Sequence, residues 1–283
     1  MTTYPFSQVD VFGSAPLLGN PVAVVHDATG LDDEQLAAFA RWTNLSETTF
    51  LLPPTVEGAD YRLRIFTPGG ELPFAGHPTL GSAHAWLEQG GRPATPGRLV
   101  QECGLGLVEV REDDGQLAFA APGFLRSGPV SDDDLAAVVG PLGLEARQLV
   151  AVEWIDNGPG WIGLVVDSAE TVLSLRPDFA HLGHDVGVIG PYADTGAEQV
   201  GAAYEVRAFC PALTITEDPV TGSLNAGFAR WLIRTGQLPR AYVARQGTAL
   251  GRDGRVHVST DEAGEIWVGG TTRTLVAGTV SPS

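Results

Sequence analysis

At 283 residues, 43% of them hydrophobic and 18% charged, the chain is long enough for one large or two medium globular domains, and it holds no uncharged apolar run of membrane-spanning length. Its formal charge of −17 has no basic cluster to offset it, which argues against nucleic acid and anionic lipid as partners. All 17 basic residues are arginine, so Schiff-base lysine chemistry and a phosphate-loop lysine are excluded.

Apolar and alternating segments predict strands at about 6–12 and 22–26. An acidic start and a periodic apolar face predict a helix over Asp32–Trp42. Strands follow at 48–52 and over Tyr61–Pro68, then a helix from Pro78 to Gln89. Strands at 99–103, 106–111 and 117–121 lead to Pro122, Gly123, Gly128 and Pro129, a cluster that marks a boundary. Beyond it, Asp132–Val139 reads as a helix, followed by strands at 148–154, 161–166, 186–189 and 204–211. A helix from Pro219 to Thr235 and strands at 241–245, 255–259, 266–269 and 274–280 complete the order. Pro78 and Pro219 stand near a first helical turn, where a missing amide proton costs nothing, and Asp218 is placed to cap the second helix. Both helices carry small and apolar residues on all sides, which predicts burial.

An internal repeat organises these elements. Tyr61-Arg-Leu-Arg-Ile-Phe-Thr-Pro68 and Tyr204-Glu-Val-Arg-Ala-Phe-Cys-Pro211 share one pattern 143 residues apart. His77-Pro-Thr-Leu-Gly-Ser82 and Asp218-Pro-Val-Thr-Gly-Ser223 share another 141 apart, which would make His77 equivalent to Asp218 and Ser82 to Ser223. The period is too long for a solenoid and indicates two copies of one domain. The expectation is an α+β fold in which a strand-rich sheet wraps a buried helix, twice. The first half covers residues 1–121, with the last strand at about 274–280 available to pack on it, and the second covers 130–271.

Three segments could carry chemistry, and each has a plain alternative. In Asn44-Leu-Ser-Glu47-Thr-Thr-Phe50, Glu47 is either a general acid/base or an exposed loop carboxylate. In Ala75-Gly76-His77-Pro78, His77 stands at a helix start suited to an anion, as a proton carrier or as a capping or core histidine. In Glu217-Asp218-Pro-Val-Thr-Gly222-Ser223, Asp218 is either functional or an ordinary cap. If the halves face each other, both helix starts would converge on one cleft. His181-Leu-Gly-His184-Asp185 lacks a further ligand set and reads as surface, so no metal is expected. No glycine-rich dinucleotide motif follows a strand, so no cofactor is expected. Cys103 and Cys210 are too few for a disulfide scaffold, and the first residues lack a basic and apolar leader, so a cytoplasmic location is expected.

At this point the motifs resemble the phenazine-biosynthesis PhzF-like family. The resemblance spans nearly the whole chain: Val9-Asp-Val-Phe12, Gly19-Asn20-Pro21-Val-Ala-Val-Val25, the Glu47 segment, Phe66 through Gly81, and Glu217 through Ser223. It implies a diaminopimelate-epimerase-like fold of two pseudo-symmetric halves, each a curled, mostly antiparallel sheet or barrel around a central helix. It implies a cofactor-independent isomerase acting on a small carboxylate of the dihydro-hydroxyanthranilate type, often as a homodimer. Glu47 would shuttle the proton, His77 and Asp218 would assist, and Ser46, Gly76, Gly222 and Ser223 would bind substrate. An epimerase or dehydratase using Glu47 and Asp218 as opposed bases, or a non-catalytic binding protein, are the alternatives. The epimerase relatives carry a cysteine at each central helix start, where this chain has Ala75 and Asp218, so a two-thiol mechanism is not expected.

Overall fold

Apolar residues alternate with polar ones through most of the expected strands, and there the sheets form. The computed structural model describes residues 2–113, 115–213 and 215–282, and the chain divides into Met1–Ala120 with Gly269–Ser283, and Ala121–Val268.

The first unit contains β1 (Tyr4–Val11), β2 (Asn20–Val25), α1 (Asp33–Thr43), β3 (Glu47–Leu52), β4 (Tyr61–Thr67), β5 (Gly70–Leu72), α2 (Gly76–Glu88), β6 (Arg98–Cys103), β7 (Gly106–Asp113) and β8 (Gln116–Ala120). The second contains β9 (Arg126–Gly128), α3 (Asp132–Leu142), β10 (Leu149–Asp156), β11 (Ile162–Val166), α4 (Ala169–Ser174), β12 (Val186–Pro191), α5 (Asp194–Val200), β13 (Tyr204–Cys210), β14 (Ile215–Asp218), α6 (Gly222–Arg234), β15 (Ala241–Gln246) and β16 (Gly254–Thr260). From β17 (Ile266–Gly270) the chain returns to the first unit as β18 (Thr272–Val280), which pairs antiparallel with β1.

In the first unit, β1–β2 is antiparallel, β2–β3 parallel across α1, β3–β4 antiparallel, β4–β6 parallel across α2, and β6–β7 antiparallel. The second unit repeats the sequence of pairings: β10–β11 antiparallel, β11–β12 parallel across α4, β12–β13 antiparallel, β13–β15 parallel across α6, and β15–β16 antiparallel. Crossovers of this kind need a helix to carry the chain back over the sheet. In the first unit α2 touches β8 and β18 as well as β1 to β4, so the sheet curls around it. In the second, α6 touches β10, β11 and β16. Both helices are buried along most of their length, as their all-round apolar composition requires. α1 lies over the other face of the first sheet, closing a core of Tyr4, Val25, Leu36, Phe39, Phe50 and Phe66.

Two boundaries differ from expectation. α2 starts at Gly76, with Ala75 as N-cap, so His77 is inside its first turn and not ahead of it. α6 starts at Gly222, with Thr221 as N-cap, so Asp218 belongs to β14 and does not occupy the N-cap position. Helix register therefore aligns Gly76 with Gly222, and His77 with Ser223, a spacing of 146 residues. The equivalences of His77 with Asp218 and of Ser82 with Ser223 do not hold. The five-residue discrepancy exceeds the usual uncertainty of helix ends. The strand match survives, since β4 and β13 are both seven residues long and begin at Tyr61 and Tyr204.

Candidate active site

The first group of site residues is assembled by the parallel pairing of β2 with β3. Val22 lies opposite Glu47, which sets Asn20 and Pro21 beside the start of β3. Asn44, in the left-handed region at φ 53°, ends α1 and turns the chain into Ser46 and Glu47. A hydrogen bond of 2.9 Å between Thr49 Oγ1 and Ser82 Oγ ties β3 to α2. Ser82 is thus a buried packing hydroxyl. The result is that Glu47 and His77, 7% and 3% exposed, meet with Oε2 and Nε2 3.3 Å apart.

Asn20 Nδ2 lies 3.2 Å from His77 Nδ1. The Pro21 carbonyl also hydrogen-bonds the imidazole, so Asn20 and Pro21 together anchor the ring beside Glu47. Burial drives the His77 pKa from 6.5 down to about 3, opposed in part by the Pro21 carbonyl. The ring is neutral at neutral pH and adds no charge beside Glu47. Sequence reasoning recognised Asn20-Pro21 as a motif but gave neither residue this orienting role.

The second group lies around the start of α6. Asp218 is 6% exposed, and its Oδ2 accepts a hydrogen bond of 2.6 Å from Thr221 Oγ1. Gln246, fully buried on β15, holds this turn: its Nε2 donates to the Asp218 carbonyl and to Thr221 Oγ1, and its Oε1 accepts from Thr221 N and from Asn225 Nδ2. Ser223 Oγ accepts from Trp161 Nε1 at 3.2 Å, and the Ser223 carbonyl from Asn157 Nδ2 at 2.9 Å. Thr221 lies within the Glu217–Ser223 motif but was given no role, and Trp161 and Gln246 carried no sequence signal of function. Neither α2 nor α6 has a side-chain N-cap, an arrangement in which a ligand anion can serve the first-turn amides. Gly76 and Gly222 are the first helical residues and bring that turn close to a ligand without side-chain bulk.

The reading of His181, His184 and Asp185 as surface fails at its last member. His181 is exposed, paired with Asp178, and His184 contacts Asp134 at 2.9 Å. Asp185 is 2% exposed, accepts from Ala212 N, and is pushed up to about 6 by burial. It immediately precedes β12, the counterpart of β3, so each unit places a buried carboxylate at the head of this strand.

A family model described as phenazine biosynthesis-like protein matches residues 9–281. The chain is 35% identical over 263 residues, 91% of its length and 90% of the other's, to the trans-2,3-dihydro-3-hydroxyanthranilate isomerase of Pseudomonas aeruginosa. It is also 35% identical over 297 residues, covering 98% and 99%, to Antisense-enhancing sequence 1 of Schizosaccharomyces pombe. A crystal structure of a PhzF-family phenazine biosynthesis protein from Enterococcus faecalis matches with a TM-score of 0.77 at 26% identity, covering 99% and 100%. A hydroxyproline epimerase from Agrobacterium vitis shares the fold, with a TM-score of 0.57 at 14% identity and coverage of 98% and 92%.

Proposed function

This chain belongs to the phenazine biosynthesis-like protein family, and from that premise we propose that it is an isomerase moving a proton within a small carboxylate of the dihydro-hydroxyanthranilate type. The observation that carries the reading is the buried contact of Glu47 with a neutral His77. In the proposed reaction the Glu47 carboxylate takes a proton from an sp³ carbon next to a double bond. That C–H bond breaks, the double bond shifts, and the same proton returns to the far carbon of the allylic unit. Glu47 ends as it began, and no electrons leave the substrate. The neutral His77 ring, with Nε2 3.3 Å from Glu47 Oε2, borders the carboxylate without adding charge and limits where it can move. Asp218, positioned by Thr221, accepts from a substrate hydroxyl or amino group. In the first unit the Gly76 amide and Ser46 are the groups next to the base fit to hold substrate, and in the second unit the amides of Gly222 and Ser223 and the Ser223 hydroxyl are the groups fit to hold a carboxylate.

The test is turnover of trans-2,3-dihydro-3-hydroxyanthranilate in deuterium oxide, read by NMR and mass spectrometry. In water the wild-type product should be an isomer of unchanged mass, and in deuterium oxide it should gain one deuterium at one carbon only in those turnovers in which protonated Glu47 exchanges with solvent before returning its proton. Glu47→Gln cannot accept the proton and should lose roughly 10²–10⁴-fold in kcat, the range of a general base. Full turnover by Glu47→Gln would refute the assignment, and absence of turnover by the wild type would refute the substrate class.

A further inference from the structure

We propose that a second ligand site, distinct from the Glu47–His77 group, lies at the far end of α2 and takes a small organic cation with an apolar body. The first turn of α2 carries His77, whereas its last turn and the residues up to Gly91 open on a cavity of about 330 Å³. Thirteen helical residues span roughly 18–20 Å, so the cavity is well removed from Glu47. Its volume is at the lower end of the range for small-molecule pockets.

The chemistry of its walls selects the charge. Asp60 faces the cavity with its carboxylate locked in place, Oδ1 accepting from Ala94 N at 2.8 Å and Oδ2 from Val100 N at 2.7 Å. Each oxygen keeps a lone pair for a further donor. Asp27 occupies the N-cap position of the short 3₁₀ turn Ala28–Gly30 but makes no cap hydrogen bond with it. It sits in the left-handed region, φ 52°, and it too lines the cavity. Strained backbone that is not used for local capping is a signature of a functional position. The carbonyl end of α2 adds negative potential, and the last turn of this helix has no basic residue to answer it. Among the described residues no Arg lines the cavity. The one imidazole there, His26, is buried with a ring nitrogen 3.1 Å from Ser7 Oγ, and burial lowers its pKa so that it stays uncharged.

The remaining walls are apolar and rigid. Leu51, Leu52, Pro53 and Pro54 form one side. Trp86 is fixed on another, its ring centroid 5.3 Å from that of Tyr61 and Gly91 packed against the indole so closely that a Cβ there would be 2.3 Å from the ring. A site with two carboxylates, a helix C-terminus and stiff apolar walls suits an alkyl- or arylalkylammonium group.

The experiment is titration of the full chain with 2-phenylethylammonium chloride, with 2-phenylethanol and phenylacetate as matched probes, followed by amide and indole NMR. We expect saturable shifts at Trp86 and at 89–91, with the ammonium bound about tenfold more tightly than the alcohol, a difference of roughly 1.4 kcal/mol. Phenylacetate should leave those signals unmoved. Asp27→Gly removes a carboxylate while relieving the left-handed backbone, so it keeps the fold, and it should weaken the ammonium several-fold without changing the alcohol. Equal binding of ammonium and alcohol, a preference for phenylacetate, shifts confined to residues around Glu47 and His77, or no saturable shift at about 20 mM probe would each overturn the proposal.

Discussion

A histidine whose pKa lies near 3 cannot be a cation at neutral pH, and this fixes both what His77 does and how the protein responds to acid. In the unfolded chain the imidazole takes up a proton near pH 6.5, while in the folded state it does so only near 3. Between those values the unfolded state binds more protons, so folding stability is full above pH 6.5 and falls as the pH drops toward 3. The slope for one such group approaches about 1.4 kcal/mol per pH unit. Asp185 acts in the opposite sense, because its folded pKa of about 6 is above its ordinary value and its contribution is lost as pH rises through 6. The clean measurement is therefore a difference. His77→Gln lacks the imidazole and keeps Asp185, so the stability gap between wild type and variant in urea should shrink by about 2 kcal/mol from pH 7.5 to pH 5. Parallel stability curves for the two proteins would mean that His77 titrates normally in the fold. Asn20 contributes to the same arrangement by holding the ring at Nδ1, 3.2 Å from its own Nδ2.

At the scale of elements, the two central helices are held against their sheets by glycines at the same place. Gly81 is the sixth residue of α2 and Gly227 the sixth of α6. A Cβ on Gly81 would be 2.3 Å from Val22 Cγ1, and one on Gly227 would be 2.8 Å from the Ile155 carbonyl oxygen. A helical Gly→Ala change ordinarily stabilises by up to about 1 kcal/mol. Gly81→Ala should instead destabilise by about 1–3 kcal/mol, the usual cost of overpacking. Gly140→Ala in α3, where nothing lies within 4 Å of the new methyl, should stabilise by roughly 0.5–1 kcal/mol. Urea unfolding of the two variants checks both signs, and a stabilised Gly81→Ala would show that the helix can lift off its sheet freely. These contacts also explain what could be read from the sequence. The strand repeat from Tyr61 and Tyr204 was legible because alternation and Phe-x-Pro are local signals. The helix register was not, because local Pro and Gly-Ser matches are common, whereas the glycine that must meet a strand is marked only by its tertiary neighbour. α4 and α5, of six and seven residues, are too short to show a helical period. Glu47, His77, Asp218 and Ser223 could be picked out by their motifs. Gln246 could not, and Asn20 stood in a motif without a readable role, since a polar residue on a strand shows what it does only through a partner 25 or 57 residues away.

For the molecule as a whole, the net charge of −17 opposes the approach of a substrate anion, while the uncapped starts of α2 and α6 favour it at short range. The two influences separate with ionic strength. The screening length falls from about 30 Å at 0.01 M to about 8 Å at 0.15 M, which removes the diffuse field of the surface and leaves contacts of a few ångströms nearly intact. For a carboxylate substrate with net negative charge, kcat/KM should therefore rise several-fold across that range while kcat stays constant, because only the encounter is affected. A substrate that also carries an ammonium group has no net charge to repel, and its kcat/KM should change little. Steady-state kinetics at several salt concentrations, with the two substrate types run in parallel, distinguish these outcomes. A fall in kcat/KM with salt for the anion would show that local positive potential at the site outweighs the acidic surface even at long range.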